Sequence, residues 1–185
     1  MDLSALRPVV ESLIFSSEFP LKVDMIRDIL GERDKTKIER VLEGLNQEYE
    51  DPSHGFELVH VAEGYQFRTK SRHSEWIKKL RRTRAPRLSR SSMEVLAIIA
   101  YKQPIMRAEV EAIRGVDSAS VLRTLLERKL IRILGRKDVP GRPIVYGTTR
   151  EFLHFFGLRS LSDLPTLRDI EELHKEDPSI VNPPE

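Results

Sequence analysis

The spacing of apolar positions changes several times along the chain, and each change marks an element. Val9, Val10, Leu13 and Ile14 recur at helical spacing and predict a helix over 8–15. A short helix over 23–30 is closed by Gly31. A third, over 35–49, carries Ile38, Val41, Leu42, Leu45 and Tyr49 on one face. The period then falls to two. Tyr65, Phe67 and Thr69 alternate with Gln66, Arg68 and Lys70, as on a half-buried strand. Residues 56–61 are its predicted partner, through a turn at Ala62-Glu63-Gly64.

The same succession then returns. Ser91 and Glu94 have the spacing of a capping box in front of a helix over 93–101. A short helix over 107–114 and a third over 118–129 follow. Strands are predicted over 131–134 and 144–146, flanking a loop over 135–143. Thr148 and Glu151 form a second apparent capping box, opening a helix through Phe155. The two halves correspond at an offset of 84: Pro20-Leu21 with Pro104-Ile105, Ile26 with Val110, Gly31 with Gly115, Ile38 with Leu122, Leu42 with Leu126. Apolar matches alone are cheap. Matching Pro and Gly at both ends of one short helix add punctuation, and argue for a duplicated unit.

Three helices followed by a two-stranded hairpin is the winged-helix plan. The predicted fold class is mostly α with small β-hairpins (α+β), as two tandem winged-helix domains. The boundaries expected are 1–82 and 90–167, joined by a basic linker at 83–89 and followed by an acidic, partly disordered tail at 168–185.

Some apolar positions exceed what one core can take. Val95 to Tyr101 are apolar around the whole helix circumference, whereas a surface helix buries one stripe. Phe152, Leu153, Phe155, Phe156 and Leu158, and the first helix, show the same excess. Either the modules pack on each other, or these faces meet a partner. The same run, seven residues, is the longest unbroken apolar stretch. A membrane span needs about 20, so a soluble chain without membrane association is expected. With no cysteine and no export signal at the N-terminus, the cytoplasm is the expected compartment.

Over 185 residues the formal charge is +2, but the sum hides its distribution. Residues 1–82 carry −1, 83–168 carry +8 and 169–185 carry −5. Lys78, Lys79, Arg81, Arg82, Arg84, Arg87 and Arg90 cluster around the linker. Such a run suits either a solvated linker or phosphate contact. The third helix of the first half is acidic, with Glu39, Glu43, Glu48 and Glu50, which argues against DNA reading there. In the second half Arg123, Arg128 and Lys129, with Arg136, Lys137 and Arg142 in the wing, make a surface compatible with DNA. No Asn or Gln lies on that helix to read adenine.

Catalytic chemistry finds no support. Zero cysteines exclude a thiolate nucleophile and cysteine-ligated metals. The five histidines, His54, His60, His73, His154 and His174, show no metal-ligand spacing. The stretch 135–142 only superficially resembles a phosphate loop: Arg142 stands where a lysine is needed and Pro143 where a hydroxyl is needed. A stiff wing is the simpler account. No enzyme, cofactor or metal is expected.

The segment Glu94-Val-Leu-Ala-Ile-Ile-Ala-Tyr101-Lys-Gln-Pro104-Ile105, with Arg107 to Val116, strongly resembles the bacterial segregation and condensation protein B (ScpB) family. So do Gly135-Arg136, Pro140-Gly141-Arg142-Pro143, Tyr146-Gly-Thr148-Thr149, and the run from Phe152 to Leu158 with Ser160-Leu161 and Leu164-Pro165. The match covers roughly 88–165. It is looser before that, chiefly Ile14 to Glu18 and Pro20-Leu21. Met106 stands where the family pattern has threonine, and Met93 where it has a small residue. The resemblance implies a homodimer formed through the N-terminal module. It implies binding to the central part of a kleisin subunit, segregation and condensation protein A, and through it to the structural-maintenance-of-chromosomes (SMC) ATPase. The implied role is chromosome condensation and segregation, beside the nucleoid, with weak non-specific DNA contact compatible with the basic regions. The alternative is a winged-helix transcription regulator.

Expected partner contacts are Tyr101, Gln103, Pro104 and Arg107, with Arg136 and Arg142 in the wing; aromatic and guanidinium groups suit interfaces. Leu6, Val10, Leu13 and Ile14 are the expected dimer contacts, with core residence as the alternative.

Overall fold

The computed structural model describes residues 2–81, 88–166 and 169. Most of the expected linker, with Arg82, Arg84 and Arg87, and nearly all of the expected tail, lie outside the described residues.

Helix α1 (Leu3–Ser16) starts five residues before the expected position. Asp2 caps it by accepting from the Leu3 amide, and Leu6 is fully buried, so burial outweighs the backbone bond that Pro8 removes. Helix α2 (Val23–Leu30) ends at Gly31 in the left-handed region. Helix α3 (Lys35–Glu50) is capped by Asp34 and buries all five of its predicted core positions. At its far end the Lys70 ammonium donates to the carbonyls of Glu50 and Asp51, the end at which the helix dipole favours a cation. Strands β1 (Phe56–Val61) and β2 (Gly64–Thr69) pair antiparallel. Their turn has two residues rather than three: Ala62 and Glu63 both have positive φ, and Gly64 already belongs to β2. Helix α4 (Ser74–Arg81) occupies part of what the sequence presented as a basic run.

The second half repeats the order: α5 (Arg90–Lys102), β3 (Ile105–Met106), α6 (Arg107–Arg114), α7 (Ala119–Glu127), β4 (Ile131–Arg136), β5 (Ile144–Thr148) and α8 (Arg150–Phe156). Both expected capping boxes are displaced. Ser89, not Ser91, caps α5, accepting from the Ser92 amide, and Glu94 instead pairs with Arg90 and Arg114. Thr149, not Thr148, caps α8, because Thr148 completes β5.

The duplication extends to detail. α2 and α6 are offset by 84 at both ends, and Gly31 and Gly115 close them in the same left-handed conformation. The short strand β3 pairs with β5 through Ile105 and Tyr146, giving the sheet order β3-β5-β4. Its counterpart Leu21 makes a single bridge to Tyr65.

Two buried clusters result. One gathers Leu6, Val10, Ile14, Ile26, Ile38 and Leu42 with their neighbours. The other is built on Val95, Leu96, Ile99, Val110, Leu122 and Leu125, and also takes in Val61 and Ala62 from the first hairpin. Among the described residues no helix is long and apolar enough to cross a membrane.

Candidate functional site

Helix α5 resolves its all-round apolarity by dividing it. Val95, Leu96, Ile99 and Ala100 are buried, while Met93, Ala97 and Tyr101 face outward. Helix α8 does the same, with Phe152 and Leu153 inward and Phe155 and Phe156 exposed. The two helices meet across a groove of about 210 Å³, floored by buried Leu96, Ala100 and Phe152 and rimmed by Met93, Ala97, Tyr101 and Phe156, with Leu158 and Leu164 of the segment after α8. The Tyr101 hydroxyl donates to the Pro165 carbonyl at 2.6 Å and holds that segment against the rim. Phe156 sits 5.0 Å from both Phe152 and Phe155, tilted and edge-on respectively, so the rings are braced from the core outward. A groove of this composition accepts the apolar stripe of an amphipathic helix.

Of the six expected partner residues, only Tyr101 lines this groove. Gln103 is half-buried and structural: its amide donates to Ala100 O and Thr148 Oγ1 and accepts from the Thr148 amide at 2.8 Å, tying the end of α5 to β5. Arg107 is engaged by Glu111 and Asp117, and its hydrogen bond to Glu111 raises its pKa. Pro104 is exposed between α5 and β3. Arg136 and Arg142 lie in the wing, where the Arg136 guanidinium donates to the Arg142 carbonyl at 3.1 Å.

The expected dimer residues require a correction. Leu6 and Val10 are 0% exposed and Ile14 is 1%, and Leu13 packs against the same cluster, so they form the core of the first half. The apolar side chains presented by α1, α2 and the segment between them are different ones: Phe15 (76% exposed) on α1, Phe19 (70%) in the connection, and Met25 and Ile29 on α2. The helical phase contained this signal. Residues 6, 10, 13 and 14 share a single stripe, and Phe15 falls outside it.

Packing between the halves was one of the two uses expected for the surplus apolar faces, but the sequence did not place it at the first hairpin. The tip of the β1–β2 hairpin docks on the second half: the amides of Ala62 and Glu63 donate to the carbonyls of Leu158 and Arg159 at 2.8 and 2.9 Å. Arg150 donates to Ala62 O at 3.0 Å, and the His154 ring bonds Gln66 at 2.9 Å. Nothing in apolar periodicity announces backbone bonds between modules. Among the described residues no group of three or more His, Asp or Glu side chains could hold a metal ion.

A family model described as "Segregation and condensation complex subunit ScpB" matches residues 8–167. Segregation and condensation protein B of Syntrophotalea carbinolica is 48% identical over 181 residues, covering 98% of this chain and 91% of the relative. Its namesake from Myxococcus xanthus is 46% identical over 179 residues, covering 95% of this chain and 53% of the relative. A crystal structure of a dimer of the ScpB N-terminal domain complexed with ScpA peptide is 28% identical, with a TM-score of 0.40, covering 42% of this chain and 96% of that one.

Proposed function

Because the chain belongs to the segregation and condensation complex subunit ScpB family, we propose that it is a non-enzymatic accessory subunit of the bacterial condensin. It binds the central region of the kleisin, segregation and condensation protein A, as a homodimer. ATP hydrolysis is left to the SMC partner held by the kleisin. The site of action is the cytoplasm, at the nucleoid. Residues 1–82 serve as the dimerisation module, 83–89 as a basic link, and 90–167 as a second winged-helix module that supplies partner contacts. One observation carries the reading: above core residues Leu96, Ala100 and Phe152, the α5–α8 groove keeps an exposed apolar rim of Met93, Ala97, Tyr101 and Phe156. Phe15, Phe19, Met25 and Ile29 support a second apolar contact, for the dimer, on the other half.

The test is co-elution of the full chain with a central kleisin fragment, with mass measured by light scattering. A dimer carrying kleisin is expected. Tyr101→Ala removes the more exposed of the groove's two exposed rings, and Ala97→Glu places a charge in it on a helix-compatible side chain. Each should weaken kleisin binding at least about tenfold, ~1.4 kcal/mol, and leave the dimer intact. Phe15→Asp with Phe19→Asp should give a monomer. A monomeric wild-type chain that ignores the fragment overturns the proposal.

A further inference from the structure

Seven exposed cations of the second half belong to α7, the turn that ends it and the wing: Arg123, Arg128, Lys129, Arg132, Arg136, Lys137 and Arg142. None forms an ion pair among the described residues, whereas Arg107, Arg114 and Arg159 of the same half all do. The only acids from Ala119 to Thr148 are Glu127 and Asp138.

Backbone geometry aims these charges. Pairing runs Ile133 with Tyr146 and then Gly135 with Val145, so Leu134 is an extra, bulged residue. Strict alternation would put Arg136 on the face of Arg132. The bulge turns it to the face of Ile131 and Tyr146, the face toward the helices. Two of the cations also occupy left-handed backbone. Helices α2 and α8 close with paired bonds from the first two residues after the cap region, and Gly31 and Gly157 hold the left-handed position. Helix α7 closes with the same pair, Lys129 N to Leu126 O and Leu130 N to Leu125 O, but a lysine stands there with φ of 57°. Arg142 has φ of 40°, beside Gly141. Side chains that glycine would replace with less strain point to a use outside the fold.

Hydroxyl groups adjoin the charge, with Thr124 donating to Ser120 O and Ser89 bonded to Ser92. A groove of about 310 Å³ runs between the start of α5 and α7, lined by Ser89, Ser92, Ser120, Thr124 and Arg128. Hydroxyls and helix starts are common phosphate contacts on duplex DNA. Neither α7 nor the wing exposes an aromatic ring, so there is no stacking platform for single strands. Without Asn or Gln on α7, adenine edges have no bidentate reader.

We propose that the α7–wing face of the second half binds the phosphate backbone of duplex DNA without sequence selectivity. This site is separate from the α5–α8 groove and does not depend on the kleisin reading. The experiment is fluorescence anisotropy of the full chain with a labelled duplex of scrambled sequence, from about 50 to about 200 mM salt. Log affinity should fall linearly with log salt, by roughly 0.9 for each phosphate neutralised. Arg128→Glu with Arg136→Glu should lower affinity at least tenfold and flatten that slope. Lys129→Gly, which relieves the backbone, should weaken DNA binding a few-fold without lowering the thermal midpoint, so a folding defect cannot imitate the result. Lys35→Gln on α3 should change nothing. Salt-insensitive binding overturns the proposal, as do unaltered affinity in the Arg128/Arg136 variant, preference for single strands, or a sequence-selective site. Loss of kleisin co-elution in these variants with DNA affinity unchanged would make the face a protein site and also overturn it. Failure of kleisin co-elution in the wild-type chain, with DNA binding as described, would leave this site standing.

Discussion

The two hairpins of this protein have the same place in a repeated plan and opposite surroundings. The first, β1–β2, is closed at its tip by the second half: two of its amides and one carbonyl are bonded across the junction, and Val61 and Ala62 sit in the other half's core. The second, β4–β5, is open and basic. The third helices differ in step: α3 is acidic on its exposed side, and α7 ends in cations. A duplicated unit therefore does not imply a duplicated surface. The buried positions are held by packing. The exposed ones are free to diverge, and here one hairpin serves internal architecture while the other stays exposed.

The largest expected effect falls on the closed hairpin. A β-carbon at Gly64 would stand 2.8 Å from the backbone C and O of Pro20 and 2.9 Å from Leu21 C. Those atoms are fixed by the reciprocal 2.9 Å bonds between Leu21 and Tyr65, so nothing flexible can yield. Gly64→Ala should destabilise the protein by about 3 kcal/mol in urea denaturation. Gly147 looks as crowded, at 2.8 Å from Gln103 Oε1 and Leu134 Cδ1, but both are side-chain ends. Gly147→Ala should cost about 1 kcal/mol, chiefly a weakened Gln103–Thr148 bond. Equal losses at the two sites would remove the distinction between a hairpin locked by backbone and one set by side chains.

A buried difference between the halves gives the next effect. By the offset of 84, Arg114 stands where the first half has Leu30, which packs against its own core. Arg114 is 8% exposed in its side chain. It bonds Ser118 Oγ and Glu94, and leaves its Nε without a partner. Arg114→Ala should cost about 2 kcal/mol, from the cavity and the lost bonds. Arg114→Leu, which imports the first half's solution, should change stability by less than about 1 kcal/mol, because a well-packed apolar side chain often replaces a buried ion pair without loss. If the leucine variant unfolds as readily as the alanine one, the guanidinium is indispensable and the halves differ in their cores as well as their surfaces.

What the sequence disclosed follows the same division. Helices defined by a stripe, such as α2 with Ile26 or α3 with Ile38 to Tyr49, were legible with nearly correct limits, because burial sets their period. Helix α4 was not. Its Trp76, Ile77 and Leu80 stripe is short and interrupted by Lys78 and Lys79, and charge dominates the reading. The cap positions slipped by one or two residues because serine and threonine are adjacent in 89–92 and 148–149, and only backbone geometry selects between them. The site was legible as surplus apolar surface on α5 and α8, but not as a residue set. Gln103 and Arg107 look like interface residues by type and are occupied internally by Thr148 and by Glu111 and Asp117. Hydrogen bonds between residues distant in sequence leave no periodic trace.

The smallest expected effect concerns a device that both halves build differently at the same place, the turn before the third helix. In the first half the Glu32 carboxylate accepts from the amides of Arg33 and Asp34 and pairs with Lys37; with the Asp34 bond foremost, these and other contacts lower its pKa to about 2 from an ordinary 4.5. In the second half the Glu111 carboxylate accepts from the Ser118 amide at 2.9 Å and from Arg107, and its pKa is likewise lowered, the amide first. A depressed carboxylate stabilises the fold above its unfolded pKa, and that contribution is lost as pH falls through the folded value. Both turns should therefore hold near neutrality and loosen below about pH 4.5, with the Glu32 turn not fully released until about pH 2. The Glu32 side chain is 11% exposed and the Glu111 side chain 27%, and each carboxylate ties only its own turn. The proper readout is local: NMR titration of the two carboxyl carbons, with the Asp34 and Ser118 amide shifts. Glu32→Gln and Glu111→Gln should each abolish the acid response of their own turn and leave the other's intact. An Asp34 amide that keeps its shift while Glu32 protonates would show that the aspartate's own cap on Thr36 organises that turn, and that the two halves reach the same geometry by different bonds.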